Sequence, residues 1–399
     1  MGQLRPTQAS AMTLQPLEVV LRYTALLMSL FVLACAPEDA EETTPPPPYD
    51  PMPAWDALAS DTWTEINPGW NTLCSRGQPW GFFVRPGDPQ KVVVEFQGGG
   101  ACWNFGTCSV ADAIFKDNID DVRSAVLSGT FSGIYDQDND ENPFKGWTHV
   151  FVPYCTGDIH WGDADVVYEE AGVEPFNLSH MGANNTRAAL YWLGEQGVVE
   201  PEKIFVTGCS AGSYGSVGWA PYLMQQYPAA KVIQMGDCGA GVITDSFLSD
   251  SFPIWEARKM LPEWIPALHP DTVDLSTMAL YDLYREIGNH HSEHLMSQYN
   301  TIYDSTQVTY FRYMGASEEG DPRENWRAGM LDSIKQIADT TDNFRYYIAE
   351  GDDHCILHRD SFYSVNEDGT SLVDWINSMI NDETVTNPTC ENCDPVLKD

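Results

Sequence analysis

The sequence predicts an α/β fold, in which a mainly parallel central sheet is flanked by helices and carries a helical cap-like insertion. Short apolar segments rich in β-branched residues recur along the chain, and helical segments alternate with them, as in a parallel sheet. The apolar segments are nearly continuous, which is typical of strands covered on both faces. A later segment rich in Trp, Met, Leu and Pro has no clear strand pattern and indicates the insertion.

The predicted elements follow one another after residue 54, and residues 54–399 are expected to form a single domain. The strands are expected at 91–97, 149–154, 203–207, 231–235 and 344–349. The helices are expected at 183–196, 211–227 and 324–338. The segment 245–299 is interpreted as the insertion. Its sequence is compatible both with a cap over a site and with ordinary packing of helices on the sheet edge.

The composition indicates a folded and strongly acidic protein. Hydrophobic residues make up 43% of the 399 residues and aromatic residues 12%, so a large core can be buried. The chain has 58 Asp and Glu against 21 Lys and Arg, which gives a net charge of −37. Such a surface repels nucleic-acid phosphates and anionic lipids, and we predict no nucleic-acid partner.

The N-terminus is expected to be a signal peptide, residues 1–35, with a lipobox-like end. Arg5 and Arg22 precede an apolar segment at 23–34, which is short for a bilayer span of about 20 residues. Cys35 follows and is the expected lipidation site, although ordinary cleavage nearby also fits. Residues 36–53 are rich in Pro and acids and predict a stiff tether. The protein is therefore expected to be a cell-envelope lipoprotein or secreted, touching the membrane only through Cys35.

The cysteines are expected to form mostly disulfides, because an exported chain meets an oxidising environment. Nine remain if Cys35 is lipidated, so at least one would stay free or pair between molecules. The pair Cys390 and Cys393 resembles a metal or redox motif, but no second such pair accompanies it in the sequence. A structural bridge is the better interpretation.

The strongest chemical motif is Val206-Thr-Gly-Cys-Ser-Ala-Gly212, which lies between a predicted strand and a predicted helix. Its two glycines permit the tight turn that exposes a serine at the edge of the sheet, as in α/β-hydrolase-like folds. The start of the following helix adds partial positive charge where an oxyanion would form. The motif predicts Ser210 as a nucleophile.

A glycine-rich loop and a histidine are the next candidates. Gly98, Gly99 and Gly100 follow a predicted strand, where such a loop supplies backbone donors to an oxyanion. His354 follows the last predicted strand, which is where hydrolases of this architecture carry the general base. His358 is the runner-up base, with a capping or solvent-facing role as its alternative.

The acid that would orient the base is not fixed by the pattern alone. The candidates between the serine and the histidine are Asp237, Asp304, Asp342, Asp352 and Asp353.

Three other groups of polar residues carry weaker signals. Asp158 and His160 fit pocket residues and structural loop residues equally well. The acidic segment 136–142 begins like a calcium loop but lacks its glycine and late glutamate. His290, His291 and His294 have no glutamate where a zinc protease needs one. We therefore predict neither a metal site nor a cofactor.

Taken together, the motifs resemble the pectin acetylesterase family, which also contains the animal carboxylesterase Notum. They occur in the family's order and span residues 97–355. They are Gln97-Gly-Gly-Gly-Ala-Cys-Trp-Asn104, Asn142-Pro143 before Trp147, Tyr154-Cys-Thr-Gly157, Gly208-Cys-Ser-Ala-Gly212, Tyr303-Asp304 and Asp353-His354-Cys355.

The resemblance implies hydrolysis of carboxylic esters without a cofactor. It implies that Ser210 is the nucleophile, His354 the base and Asp304 the acid. It implies further that backbone groups at Gly99, Gly100 and Ala211 bind the oxyanion. Relatives often carry Trp directly after the glycines, whereas this chain has Ala101 there and Trp103 two residues later, so Trp103 is the expected pocket residue.

The predicted function is the removal of small acyl groups, acetyl first among them, from an acylated carbohydrate such as pectin. A Notum-like deacylase of longer fatty acyl esters is the alternative within the same chemistry. A non-catalytic surface binding lipoprotein is the alternative of another class, and the presence of candidates for every catalytic role argues against it.

Overall fold

An eight-stranded sheet organises the part of the chain that this computed structural model describes, residues 49–197, 200–317, 319–391 and 393. The strands in chain order are β1 (Thr64–Ile66), β2 (Phe82–Arg85), β3 (Asp88–Phe96), β4 (Trp147–Val152), β5 (Ala164–Tyr168), β6 (Phe176–His180), β7 (Lys203–Cys209), β8 (Lys231–Asp237), β9 (Leu295–Thr301), β10 (Phe344–Ala349), β11 (Asn366–Glu367) and β12 (Thr370–Ser371).

Helices connect and cover these strands. They are α1 (Phe105–Cys108), α2 (Asp120–Ser128), α3 (Gly182–Glu195), α4 (Ala211–Gln226), α5 (Phe247–Trp255), α6 (Leu280–His290), α7 (Ser305–Tyr313), α8 (Pro322–Ala338) and α9 (Leu372–Ile380). Short 3₁₀ turns lie at Trp55–Ala57, Gly133–Tyr135, Ala257–Met260, Pro266–Leu268 and Asp360–Tyr363.

The sheet order is β1-β2-β4-β3-β7-β8-β9-β10, and every pair from β4 to β10 is parallel. Only β1 and β2, at one edge of this described sheet, pair antiparallel to their neighbours. The predicted mainly parallel sheet with flanking helices is therefore confirmed. The carboxyl ends of the parallel strands meet at one edge, where α/β proteins place their sites.

Two apolar cores cover the two faces of the sheet. Successive residues of β3 point to opposite faces, so Val92 and Val94 join the core under α3, α4 and α8, whereas Val93 joins the core under α9. All three side chains are fully buried. Burial on both faces explains why the sequence of this strand is continuously apolar.

The expectation that 245–299 carries no sheet strand is wrong at its end. Residues 295–301 form β9, which pairs with β8 on one side and with the edge strand β10 on the other. Its buried polar side chains obscure the apolar pattern. Ser297, for example, donates from Oγ to the carbonyl of Gln234 at 2.8 Å. The rest of the segment contains α5, α6 and two 3₁₀ turns, which agrees with the helical character expected of the insertion.

Four disulfides confirm that most cysteines are paired. They join Cys74 to Cys155, Cys102 to Cys108, Cys209 to Cys355 and Cys390 to Cys393, and Cys238 is a free buried thiol. The predicted signal peptide, Cys35 and most of the tether lie outside the described residues. Among the helices described, none has the length and apolarity needed to span a bilayer.

Candidate active site

Ser210 occupies a sharp turn between β7 and α4, as its motif predicts. Its backbone has φ of +57° and ψ of −120°, a region that residues other than glycine rarely adopt. Glycine is required two positions later, because a Cβ on Gly212 would lie 1.9 Å from the carbonyl oxygen of Phe96. The turn therefore depends on close packing between the start of α4 and the end of β3.

His354 and Asp304 form a hydrogen-bonded pair although 50 residues separate them. The Nδ1–H of His354 donates to Oδ2 of Asp304 at 2.8 Å. This bond leaves Nε2 of the neutral ring as a proton acceptor. The Asp304 side chain is fully buried, whereas that of His354 is 18% exposed.

The chain around Asp304 holds its carboxylate in place. The residue ends the loop after β9 and caps α7, so Oδ1 accepts from the backbone N–H groups of Thr306 at 3.0 Å and Gln307 at 2.9 Å. The Gln307 side chain donates from Nε2 to Oδ2 at 3.0 Å. These donors fix the carboxylate while Oδ2 also binds the imidazole.

The other candidate acids have different partners. Oδ2 of Asp237 accepts from the backbone N–H groups of Ile356 at 2.9 Å and Leu357 at 3.1 Å, which clamps the loop after His354. Asp353 pairs with Arg359 at 3.0 Å, on the exposed side. Of the five candidate aspartates, Asp304 is the one that hydrogen-bonds to His354 in the described structure.

Ser210 and His354 line the same narrow cavity, which has about 60 Å³ of room for water-sized molecules. Trp103 is part of its wall, as expected, and its ring meets that of Phe247 edge-on at 5.1 Å. Further walls are largely apolar and include Val242, Ile243, Leu280, Met314 and Trp326. We call this space the narrow cavity.

The glycine loop lies directly against the serine turn. A Cβ on Gly98 would lie 2.9 Å from Cβ of Ser210, and one on Gly99 would lie 2.5 Å from the ring of Tyr154. Gly100 has φ of +77° and lines the narrow cavity together with Ala211. Glycine is thus needed at these positions because the backbone itself approaches the site.

Asp158 and His160 do not line the narrow cavity, so the pocket interpretation of both is wrong. Asp158 is fully buried and accepts at 2.8 Å from the backbone N–H of Gly182, at the start of α3. Burial raises its pKa to about 6. The Nε2–H of His160 donates to the carbonyl of Gln97 at 2.9 Å, and burial lowers the pKa of this ring to about 4. His160 thus supports the segment before the glycines, Asp158 fixes the start of α3, and Ile159 between them reaches the cavity.

A disulfide joins the two chain segments that carry the serine and the histidine, and the pairing is absent from the sequence-based prediction. Cys209 precedes Ser210 and Cys355 follows His354, and the two are bonded across a separation of 146 residues. The backbone N–H of Cys355 also donates to Sγ of Cys238 at 3.1 Å. Each of these cysteines is adjacent to a predicted catalytic residue. This adjacency is a sequence signal from which the disulfide can be predicted.

His358 lines a second cavity beside Ser210, and its ring is hydrogen-bonded to a buried carboxylate. Its Nε2–H donates to Oε1 of Glu95 on β3. Glu95 also accepts from Nε2–H of His149 at 2.7 Å and from the hydroxyl of Tyr135 at 2.8 Å. This second histidine–carboxylate pair is distinct from the His354–Asp304 pair.

Among the groups of potential metal ligands in the described residues, one contains no cysteine. His291, Glu293 and His294 place potential ligand atoms within 4.8 Å of one another. Nδ1 of His294, however, accepts from the backbone N–H of Val232 at 3.2 Å. The proton of the neutral ring then sits on Nε2, which is therefore unsuited to coordination.

Comparison with known proteins gives the same family as the motifs. Residues 65–248 match the family model described as Pectinacetylesterase. Pectin acetylesterase 11 of Arabidopsis thaliana is 28% identical over 152 residues, which cover 37% of this chain and 36% of that protein. The palmitoleoyl-protein carboxylesterase NOTUM of Homo sapiens is 25% identical over 178 residues, 42% of this chain and 34% of that protein.

The matched stretch thus spans about a third of the length of these curated relatives. A solved structure of the Wnt deacylase Notum from Drosophila superposes with a TM-score of 0.61, covering 84% of this chain and 97% of that chain at 18% identity. This likeness confirms the α/β-hydrolase-like fold. Residues 65–248 are therefore similar to the pectin acetylesterase family, and the fold is similar to that of Notum.

Proposed function

We propose that this protein is an extracytoplasmic serine carboxylesterase that removes small acyl groups, chiefly acetyl, from a polysaccharide such as pectin. The observation that carries the proposal is the His354–Asp304 pair, bonded at 2.8 Å, beside a strained serine in one narrow cavity. The match to the Pectinacetylesterase family model and the similarity to pectin acetylesterase 11 of Arabidopsis thaliana support the same chemistry.

The proposed reaction has two steps. Nε2 of His354 takes the hydroxyl proton of Ser210 while Oγ attacks the ester carbonyl, and Asp304 keeps the proton on Nδ1. Backbone N–H groups at Gly99, Gly100 and Ala211 stabilise the oxyanion, each donor contributing about 10²–10³ in rate. The imidazolium protonates the departing alcohol and leaves an acyl-enzyme. His354 then activates a water molecule, which releases the acid and restores the serine.

The size of the narrow cavity favours a short acyl group. Its roughly 60 Å³ corresponds to on the order of five water-sized positions. An acetyl group fits this space, and the limited room favours it over a long fatty chain. Release of acetate from acetylated pectin and from 4-nitrophenyl acetate is therefore the expected activity.

The test compares Ser210→Ala with Ser128→Ala, which changes a serine at the exposed end of α2. We expect Ser210→Ala to lower kcat by about 10⁶-fold and to abolish labelling by a fluorophosphonate probe. Ser128→Ala should match the wild type in both assays. Wild-type acetate release by Ser210→Ala would contradict the proposal.

A deacylase of longer fatty acyl esters is the second candidate, and one observation favours it. The walls of the narrow cavity are largely apolar, including Val242, Ile243 and Leu280. A series of 4-nitrophenyl esters from two to sixteen carbons separates the two functions. Highest kcat/KM at two carbons supports the acetylesterase, and a maximum at eight carbons or more supports the deacylase.

A further inference from the structure

A wider cavity adjoins the narrow one and shares Ser210, Gly100 and His354 with it. It has about 300 Å³ of room, and its other walls include Lys116 and His358. Among the described residues no acidic side chain lines it, although the chain has 58 Asp and Glu. With the acyl group in the narrow cavity, the alcohol portion of an ester at Ser210 would lie here.

Lys116 is a cation without a counter-ion at this wall. Its side chain is exposed, and its backbone N–H donates to the carbonyl of Gly99 at 2.8 Å, which fixes it beside the glycine loop. Within the described residues, every other Lys or Arg side chain has a hydrogen bond, an ion pair or an aromatic contact. Lys116 is therefore available to a ligand.

His358 supplies a second positive charge at the same wall. Burial alone would lower the pKa of His358, but the charge and hydrogen bond of Glu95 outweigh it and raise the pKa. Glu95 is itself fully buried, and its contacts with His358 and His149 bring its pKa down to about 2 despite burial. The carboxylate is thus ionised, and its negative charge favours the protonated form of His358.

The imidazolium has one N–H to spare. Nε2–H donates to Glu95, and Nδ1 has no hydrogen-bond partner among the described residues. The ring stacks on Phe131, another residue of the wide cavity, at 5.0 Å and 22°. The side chain is 21% exposed, so a ligand in the cavity can reach it.

We propose that Lys116 and His358 form an anion subsite, which binds a carboxylate carried by the alcohol portion of the ester. These two residues would then be the ones that discriminate an ester carrying a carboxylate from its neutral analogue. This inference rests on the proposed esterase function for its catalytic consequence, but the binding itself does not require hydrolysis.

The protein's overall charge does not prevent this recognition. A net charge of −37 repels an anion at long range, but at physiological ionic strength such repulsion is screened beyond about 8 Å. Within contact distance the two cations of the subsite dominate. A short anionic ligand should therefore bind there at physiological salt.

The subsite also has a defined pH dependence. The charged and titratable groups around His358 are Glu95, His149, Tyr135, Asp237 and Lys116. Glu95 stays ionised above about pH 2. Anion binding should accordingly be complete below the raised pKa of His358 and weaken as the pH rises through it.

The kinetic test uses 3-acetoxybenzoate and its neutral methyl ester at fixed ionic strength. We expect a lower KM for the anionic ester. Lys116→Gln should reduce the ratio of anionic to neutral kcat/KM about tenfold, and Lys335→Gln, a surface change on α8, should leave the ratio unchanged. Equal KM values for both esters in the wild type, or an unchanged ratio in Lys116→Gln, would overturn the subsite.

A binding experiment tests this inference independently of the proposed function. Calorimetry on Ser210→Ala should show binding of digalacturonate and weaker binding of its dimethyl ester. Adding Lys116→Gln should weaken digalacturonate binding about tenfold. If no ester is hydrolysed but this pattern appears, the subsite stands and the esterase function fails. If hydrolysis occurs and both disaccharides bind equally, the esterase stands and the subsite fails.

Discussion

Ser210 has a strained backbone that the main chain around it holds in place. Its N–H donates to the carbonyl of Asp237 at 2.8 Å, and its own carbonyl accepts from the N–H of Ser213 at 2.9 Å. A φ of +57° costs a residue with a side chain of the order of 1–3 kcal/mol. These bonds do not involve the hydroxyl, so removal of the hydroxyl should leave the turn intact.

At the residue scale, Asp304→Asn should separate chemistry from folding. Asn caps helices as well as Asp does, so the melting temperature should stay close to that of the wild type. An amide cannot hold the proton on Nδ1 of His354 in the same way, and kcat should fall by about 10⁴-fold.

Asp353→Asn is the matched control for this prediction, because Asp353 is exposed and pairs with Arg359. It should retain kcat on 4-nitrophenyl acetate. A kcat for Asp304→Asn within tenfold of the wild type would contradict the acid role of Asp304.

The sequence predicts single residues well where a local pattern surrounds them. Ser210 and His354 follow predicted strands, and the structure brings both to one cavity. The choice of Asp304 among the candidate acids required the family resemblance, because it depends on a contact between residues 50 positions apart. Asp158 and His160 have polar side chains in a motif-rich loop, and sequence alone does not reveal that both point into the protein.

At the scale of elements, the junction of β7 and α4 should tolerate no side chain at Gly212. A Cβ there would collide with the Phe96 carbonyl at 1.9 Å, and backbone cannot move as a flexible side chain does. Gly212→Ala should therefore lower the free energy of unfolding by about 3 kcal/mol or more, the range of severe substitutions.

Gly106→Ala is the control, since the nearest atom to its Cβ would be 3.6 Å away. Urea unfolding should show a change of less than about 1 kcal/mol for that variant. Equal destabilisation of the two variants would contradict the steric explanation.

The bond between Cys209 and Cys355 should matter for both stability and rate. It joins two loops across 146 residues, and removal of such a disulfide commonly costs about 2–5 kcal/mol. Replacing both cysteines with Ala should also loosen the His354 loop against Ser210, where a shift near 1 Å can reduce kcat about 10²-fold.

The double Ala variant of Cys390 and Cys393 is the comparison, because that disulfide spans only three residues and constrains the unfolded chain far less. Unfolding in urea and kcat measure the two effects. Equal losses in both double variants would contradict a specific role for the Cys209–Cys355 bond.

Elements were predictable where hydrophobic pattern alone decides them. The strands β3, β4, β7, β8 and β10 are continuous apolar segments, and the sequence identifies each. The strand β9 has buried Ser297, Gln298 and Asn300, whose hydrogen bonds replace the apolar signal. The edge strands β1 and β2 contain only three and four residues, too few for a recognisable pattern.

At the scale of the whole molecule, self-repulsion should make the stability sensitive to salt. A net charge of −37 at neutral pH destabilises the compact state. Raising NaCl from 20 mM to 500 mM at pH 8 should increase the melting temperature by several degrees, because the Debye length shrinks.

The same salt step near pH 4.3, the isoelectric point of the sequence, serves as the control. The net charge is close to zero there, so the melting temperature should change little. Identical salt responses at the two pH values would show that the effect does not arise from net charge.

The disulfide beside Ser210 also bears on how the protein is made. Thiols in a bacterial cytoplasm are kept reduced, so chains produced there would fold without the Cys209–Cys355 disulfide. Recombinant material from such a host should contain a poorly active fraction, and oxidative refolding or periplasmic production should recover it. The specific activity of a preparation would then depend on the fraction of molecules that contain this disulfide as well as on purity.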